Sequence, residues 1–387
     1  MRLRATFIAA FVIAAVVLSG CAGSGGSTDV IKIGWLGPRT GDTALWGQAE
    51  YDTVVMLIDK YNAAGGIDVG GKKYKLEVIG YDDKGDSTEA VNVAKRLTSQ
   101  DKVVAIVGPQ GSGEAIPIAP IANEAKVPVV ATTATNPKVT VTESGAINQY
   151  MFRACFTDPY QGSVAATFAY ERLGKRRAAI LMTVDDAYSA GLTEFFKQSF
   201  IKLGGEIVAE VSFTAGEKDF RAPLTRIKAA NPDIIFAPNY YTDVALSAVQ
   251  ARELGIDTVM LGGDGWPSEN LISLAGTALE GCFYVNHLDF NDPSVADFKA
   301  EFKARYNRNA ELNSYMAHDA LLMVIDAIQR AGSIDGEAIM RALETTAIQG
   351  VTGFIKIGPN HDPVGKDAAI IRITGTEMLF QEKIKGK

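Results

Sequence analysis

The chain has 387 residues, of which 47% are hydrophobic and 21% charged, with a net charge of −7. That composition describes a folded protein with sizeable cores, and at ~150 residues per domain the length calls for two of them. The acidic balance, with no Lys/Arg block, excludes nucleic acid as a partner, and His287, His318 and His361 stand at no metal-ligand spacing, with no cysteine pair to help them.

The first element is a leader. Arg2 and Arg4 precede an apolar run over 5–17 that only Thr6 interrupts, and small residues then lead to Cys21. The run is shorter than the ~20 residues that a bilayer span needs and reads as a secretory signal. Leu18-Ser19-Gly20-Cys21 resembles a bacterial lipoprotein signal, with residues 1–20 removed and Cys21 acylated. An ordinary signal peptide with a chance cysteine is the alternative. Residues 21–29 then form the anchor and a Gly/Ser spacer that holds a folded body off the membrane.

Beyond the spacer, Val- and Ile-rich runs alternate with amphipathic stretches. Strands are expected over 30–36, 75–81, 103–107 and 127–131, and a second series over 178–183, 206–213, 233–237 and 258–261. Helices are expected over 45–63, 87–98, 115–125, 161–173, 192–203, 220–229 and 244–254. Such alternation means βαβ units and parallel sheets covered on both faces. The fold class is α/β, with two doubly wound lobes and a cleft between them. Residues 150–156 and 281–288 are expected to cross between lobes. Helices over 293–306, 314–331 and 336–345 follow, then strands over 351–357 and 368–373. Cys155 and Cys282 are expected as buried thiols, although they could pair.

In open parallel sheets, ligands bind where strands end and loops lead into helices. After 103–107 comes Gly108-Pro109-Gln110-Gly111-Ser112-Gly113-Glu114, a glycine-rich turn that opens a helix and offers N–H groups and a positive dipole end to an anion. It lacks the Gly-Lys-Ser/Thr of a nucleotide loop, so the anion is expected to be a carboxylate. Ser112 could also be a plain helix cap. Thr132-Thr133-Ala134-Thr135 is a hydroxyl-rich loop that can donate to a carboxylate and accept from an ammonium. Asn239-Tyr240-Tyr241 and Gly262-Gly263-Asp264-Gly265 follow two second-series strands, and Asp264 is either a cation partner or a turn residue. Trp46 is either an aromatic plate beside the cleft or core. No nucleophile–base motif is readable, so the loops look built to hold a molecule and not to transform it.

These residues carry a resemblance. Ile31-Lys32-Ile33-Gly34 with Gly37-Pro38-Arg39-Thr40-Gly41, Asn62-Ala63-Ala64-Gly65-Gly66-Ile67, Tyr81-Asp82-Asp83 and Thr214-Ala215-Gly216-Glu217-Lys218-Asp219-Phe220 resemble the leucine/isoleucine/valine-binding protein family, the substrate-binding components of branched-chain amino-acid ABC transporters. The resemblance implies a type I periplasmic-binding-protein fold whose lobes are joined by a three-segment hinge. The first lobe would comprise residues 30–152 with 288–350, and the second 153–287 with 351–387. Trp46 would line the side-chain pocket. Ser112 and Thr135 would hold the ligand's α-carboxylate, while Thr133 (by its carbonyl) and Thr135 would accept from its ammonium. Asp264 would pair with that ammonium, and Tyr188 and Tyr240 would reach the ligand on closure.

Two departures stand out. Gly111 and the Lys84–Gly85 stretch occupy the positions of a disulfide common in relatives, and Asp264 is one methylene shorter than the usual Glu. The resemblance implies a lipid-anchored, monomeric, extracytoplasmic receptor without cofactor or catalysis. It would capture leucine, isoleucine or valine and deliver it to a permease. A ligand that is an amide, urea or aromatic carboxylate, and a role as sensor, are the alternatives.

Overall fold

The computed structural model describes residues 29–386; the leader and Cys21 lie outside the described residues. The chain opens with β1 (Asp29–Gly37), α1 (Ala44–Ala63), β2 (Ile67–Val69), β3 (Lys72–Asp82), α2 (Ser87–Arg96), β4 (Ala105–Val107), α3 (Ser112–Ala125), β5 (Val129–Ala131) and β6 (Met151–Arg153). Its strands form one sheet in the order β2-β3-β1-β4-β5-β6, parallel except for β2. The middle strands are three-residue apolar runs buried on both faces, as a helix-covered parallel sheet requires. Helix α2 starts where the Asp86 carboxylate accepts from the N–H groups of Thr88 and Glu89, both at 2.9 Å.

The second lobe adds α4 (Asp158–Thr167), β7 (Arg177–Thr183), α5 (Ala187–Lys202), β8 (Glu206–Phe213), α6 (Arg221–Ala230), β9 (Ile234–Phe236), α7 (Tyr241–Glu253), β10 (Met260–Gly262), α8 (Glu269–Ala275) and β11 (Phe283–Asn286). Helices α9 (Ala296–Tyr306), α10 (Leu312–Ala331) and α11 (Gly336–Glu344) return to the first lobe, followed by the hairpin β12 (Ala347–Gly350) and β13 (Gly353–Lys356). Last come β14 (Ala368–Thr374) and β15 (Glu377–Ile384), which complete a sheet ordered β15-β14-β11-β10-β9-β7-β8 by antiparallel pairing on β11. The protein is thus α/β with two mainly parallel sheets, one in each lobe.

The cores show where the chain crosses. Phe152 and Cys155 pack in the first core and Phe156 in the second, and Val285 packs in the second and Leu288 in the first. Ile355 and Ile357 still pack in the first core, whereas Ala368 packs in the second. The first crossing therefore falls after residue 155 and not 152, and the third after residue 357 and not 350. The third boundary moves because α10 holds the hairpin. The buried Asp319 carboxylate accepts from the backbone N–H groups of Val351 (2.8 Å) and Thr352 (3.0 Å), which pins the turn to the first lobe.

Helix α3 begins three residues earlier than expected, with Gly111 at the cap position. Ser112 is inside the first turn, and its hydroxyl accepts from the Asn136 N–H at 3.2 Å instead of capping the helix. The expected crossings over 150–156 and 281–288 contain β6 and β11, and β2, α8, β12 and β15 are additional elements.

Cys155 and Cys282 are buried free thiols in different cores. Burial pushes the Cys155 thiol up to about 12, so thiolate is scarce at neutral pH. Neither residue is expected to react with a thiol-specific reagent until the protein unfolds. Mass spectrometry after native alkylation checks this, and a rapidly labelled Cys155 would contradict the packing.

Candidate functional site

The carboxyl ends of both sheets face one another across a cavity of about 220 Å³. Pro38 and Trp46 reach it from the connection after β1, Gln110, Gly111 and Glu114 from that after β4, and Thr133 from that after β5. Opposite them stand Asp186 and Tyr188 after β7, Tyr240 and Asp243 after β9, and Asp264 after β10. Asn313, at the start of α10, closes one side. This is where open α/β sheets hold ligands.

Asp264 is the most informative of these side chains. It is 5% exposed, its Oδ2 lies 2.9 Å from His287 Nε2, and its Oδ1 is buried without a partner. Burial pushes the His287 pKa down, which favours the neutral ring, and the tautomer with its hydrogen on Nε2 donates to the carboxylate. His287 in turn stacks on Phe156 with ring centroids 3.7 Å apart. This carboxylate therefore leans on two of the inter-lobe crossings. A buried anionic oxygen with no donor is costly unless a ligand supplies one.

The aromatic wall comes from both lobes. Tyr188 and Tyr240 stack at 5.3 Å, and the Tyr188 hydroxyl accepts from the Gly265 N–H at 3.0 Å. Trp46 meets Tyr240 and Tyr241 edge-on, at 5.8 and 4.9 Å, and its Nε1–H donates across the cleft to the Pro267 carbonyl at 3.1 Å. Tyr241 donates to the Asp42 carbonyl at 2.6 Å, and the Asn136 side-chain amide to the Ala187 carbonyl at 2.7 Å. With these bonds spanning the cleft, the lobes are closed. Trp46→Ala is expected to weaken ligand binding by about 10-fold or more, because a first-lobe ring packed in the second-lobe core is lost only from the closed form. Small-angle scattering should show a larger radius of gyration; an unchanged radius and affinity would refute this role for Trp46.

Of the residues expected at the ligand, Trp46, Thr133, Tyr188, Tyr240 and Asp264 line the cavity together. Ser112 and Thr135 are buried behind its wall and do not line it. The Ser112 hydroxyl is turned to Asn136, and the Thr135 hydroxyl faces the buried Asp158 carboxyl. The Thr133 hydroxyl donates to the Gln110 carbonyl at 2.9 Å and accepts from the Asn313 amide at 3.2 Å. Asn313 also donates to Glu50 at 3.2 Å.

Sequence reading missed Glu114, Asp186, Asp243 and Asn313. Glu114 sits in a loop already singled out and Asp186 beside the expected Tyr188, two residues from Ser112 and from Tyr188 respectively, and a carboxylate so close to an expected ligand residue was the available signal. Asn313 had none, since it lies far along the chain from every other wall residue. Burial pushes Glu114 up to about 8, Asp243 to about 7 and Asp186 to about 6. Among the described residues, no cluster of side chains could hold a metal ion and no helix is long and apolar enough to cross a membrane.

Known proteins share this architecture. A Leu/Ile/Val-binding protein of Rhizobium johnstonii is 32% identical over 317 residues, covering 81% of this chain and 83% of the relative. A leucine-, isoleucine-, valine-, threonine- and alanine-binding protein of Pseudomonas aeruginosa is 28% identical over 341 residues, covering 88% and 89%. A leucine-binding protein crystal structure from Thermotoga maritima superposes with a TM-score of 0.83 at 34% identity, covering 92% of this chain and 98% of that one. A branched-chain amino-acid binding protein of Streptococcus pneumoniae, solved with isoleucine, gives 0.84 at 29% identity, covering 92% and 100%. A Rhodopseudomonas palustris solute-binding protein holding 3,4-dihydroxybenzoic acid gives 0.80 at 26% identity, covering 92% and 98%. Residues 30–377 match the periplasmic binding protein family model, so the chain belongs to that family and has the type I fold of branched-chain amino-acid binding proteins from ABC transporters.

Proposed function

We propose that this protein is the extracytoplasmic receptor of an ABC importer, anchored through Cys21, that captures a small zwitterionic α-amino acid and presents it to the permease. The observation that carries the reading is the unpartnered Oδ1 of Asp264, a residue that lines the same cavity as the N-terminal turn of α3. One wall asks for a cation, and the other offers the N–H groups of a helix start to an anion. The α-ammonium and α-carboxylate of an amino acid meet these two demands. The relatives that bind leucine, isoleucine and valine support an amino acid as ligand. Closure would expel water and strengthen each polar contact, leaving a closed form for the permease to recognise.

The proposed division of labour puts Trp46, Thr133, Tyr188, Tyr240 and Asp264 against the ligand, with Ser112 and Thr135 shaping the loops behind them. The test is native mass spectrometry of the purified protein, followed by a thermal-shift screen of α-amino acids, amides, urea and benzoates. A ligand at 100 times its dissociation constant adds about 2.7 kcal/mol of stability. Stabilisation by an α-amino acid is the expected outcome. Stabilisation by a benzoate alone would transfer the protein to the second reading, which the dihydroxybenzoate-bound neighbour supports.

A further inference from the structure

The cavity has a wall rich in carboxylates. Its described wall contains no leucine, isoleucine, valine, methionine or phenylalanine, and its apolar surface comes from Trp46, Tyr188, Tyr240, Pro38, Ala215 and glycines. Glu114, Asp186 and Asp243 face it in addition to Asp264. No lysine or arginine pairs with them among the described residues, and the Asp186 carboxylate accepts from the Ser189 N–H, at 2.7 Å, as the cap of α5. Lys84 is the only basic residue in the described wall, and its ammonium lies 3.4 Å from Glu89, with 57% of the side chain exposed. Lys218 stays at the rim, 4.0 Å from Asp42. No other residue hydrogen-bonds the Glu114 carboxylate among the described residues, and its Oε2 folds toward Gly111 at the start of α3. Independently of this acidic end, the Asp264 Oδ1 atom is more than nine-tenths buried and lacks a donor.

A zwitterion brings no net charge, so it would satisfy Asp264 and leave three carboxylates unanswered. Burying like charges together is unfavourable, and each additional one raises the demand for a cation. We propose that the ligand carries a net positive charge: a basic α-amino acid whose side chain ends in an ammonium or guanidinium that Glu114, Asp186 and Asp243 receive. This rests on the amino-acid reading above and replaces the aliphatic side chain that the family likeness implies. The aromatic wall fits the same ligand, because tyrosine and tryptophan faces pack on a methylene stem and attract a cation.

Protonation supplies a second readout. Glu114 faces Asp83, Asp86 and Asp186, Asp243 faces Lys218, Asp42, Asp185 and Asp186, and Asp186 itself faces Asp185. Burial leaves Glu114 near 8 and Asp243 near 7. An arriving cation favours their ionised forms and displaces protons. Lysine or arginine should therefore bind more tightly as pH rises from about 6 to about 8.5, with protons released to the buffer.

The experiment is calorimetric titration of the purified protein with lysine, arginine, ornithine, norleucine, leucine, isoleucine, valine and the carboxylate-free diamine cadaverine. The expected result is a basic amino acid at least about 30-fold tighter than norleucine, its apolar straight-chain analogue. Glu114→Gln and Asp243→Asn, each checked for an unchanged melting temperature, should reduce that preference about 10-fold or more. Leucine, isoleucine, valine or norleucine binding as tightly as lysine and arginine would overturn the proposal and leave the amino-acid reading intact. An unchanged preference in both variants would overturn it as well. Binding of cadaverine alone would keep the charge assignment and remove the amino acid. Binding of nothing in the panel would remove both.

Discussion

Asp264→Ala is expected to weaken ligand binding by at least about 30-fold while leaving the fold intact. Removing one member of a desolvated charge pair costs about 2–5 kcal/mol, much of it from the cation left without an anion. Within the fold, the Asp264 carboxylate is held by the 2.9 Å hydrogen bond from His287. Its backbone belongs to a turn after β10, and its neighbour Gly265 donates to Tyr188, so the local chain stays anchored. Asp264→Asn should be almost as damaging, since the amide keeps the shape and loses the charge. Calorimetry on both variants, with circular dichroism as the check on folding, reads the effect. Affinity within twofold of the parent would remove Asp264 from the ligand.

Arg153→Met is expected to lower stability by about 3–5 kcal/mol, the cost of breaking a buried ion pair from one side. The Arg153 side chain is fully buried at the end of β6. Its Nε donates to Asp362 at 2.6 Å, its Nη1 to the Ala134 carbonyl at 2.6 Å and its Nη2 to the Thr140 hydroxyl at 2.9 Å. Asp362 lies on the third crossing and also accepts from Thr140 at 2.8 Å. One guanidinium thus ties the last strand of the first sheet to the connection that leads into the second. Methionine fills much of the volume but leaves Asp362 and the Ala134 carbonyl without their donor. A melting temperature lower by about 5–10 °C is the readout, given the entropy of unfolding for a chain of this size. Arg153→Met combined with Asp362→Leu should recover part of the loss, because the stranded charge is then gone. A single variant that melts within 1–2 °C of the parent would show that Arg153 carries no such load.

The two effects separate the binding and the mechanical parts of the molecule. Asp264 is expected to act on the ligand and only weakly on the fold. Arg153 holds the frame in which the cleft closes. His287 joins them, because it supports Asp264 and stacks on Phe156 at the first crossing. Trp46 belongs to the closed state, since its ring and its indole N–H are both satisfied by the opposite lobe.

The alternating Val/Ile runs and amphipathic stretches carried the α/β class and nearly every interior element, because parallel strands buried on both faces are continuous apolar runs in any protein. The loops after those strands were legible for the same reason, and five of the seven expected ligand residues line one cavity. Edge strands β2 and β15 were not legible. They are short or half exposed, so their side chains carry a weak pattern. Nor could local sequence place the third crossing, because the hairpin after α11 is held by Asp319, a residue some thirty positions earlier on another element.

Side-chain direction belonged to the tertiary structure altogether. Ser112 and Thr135 have the right chemistry for a ligand, yet packing turns their hydroxyls toward Asn136 and Asp158. Glu114, Asp186, Asp243 and Asn313 reach the cavity wall from connections that are remote in sequence, and only the facing of the two sheets brings them together. Periodicity and turn chemistry are local quantities, written into neighbouring residues. The charge balance of a closed cleft is a sum over distant ones, and it exists only once the lobes meet.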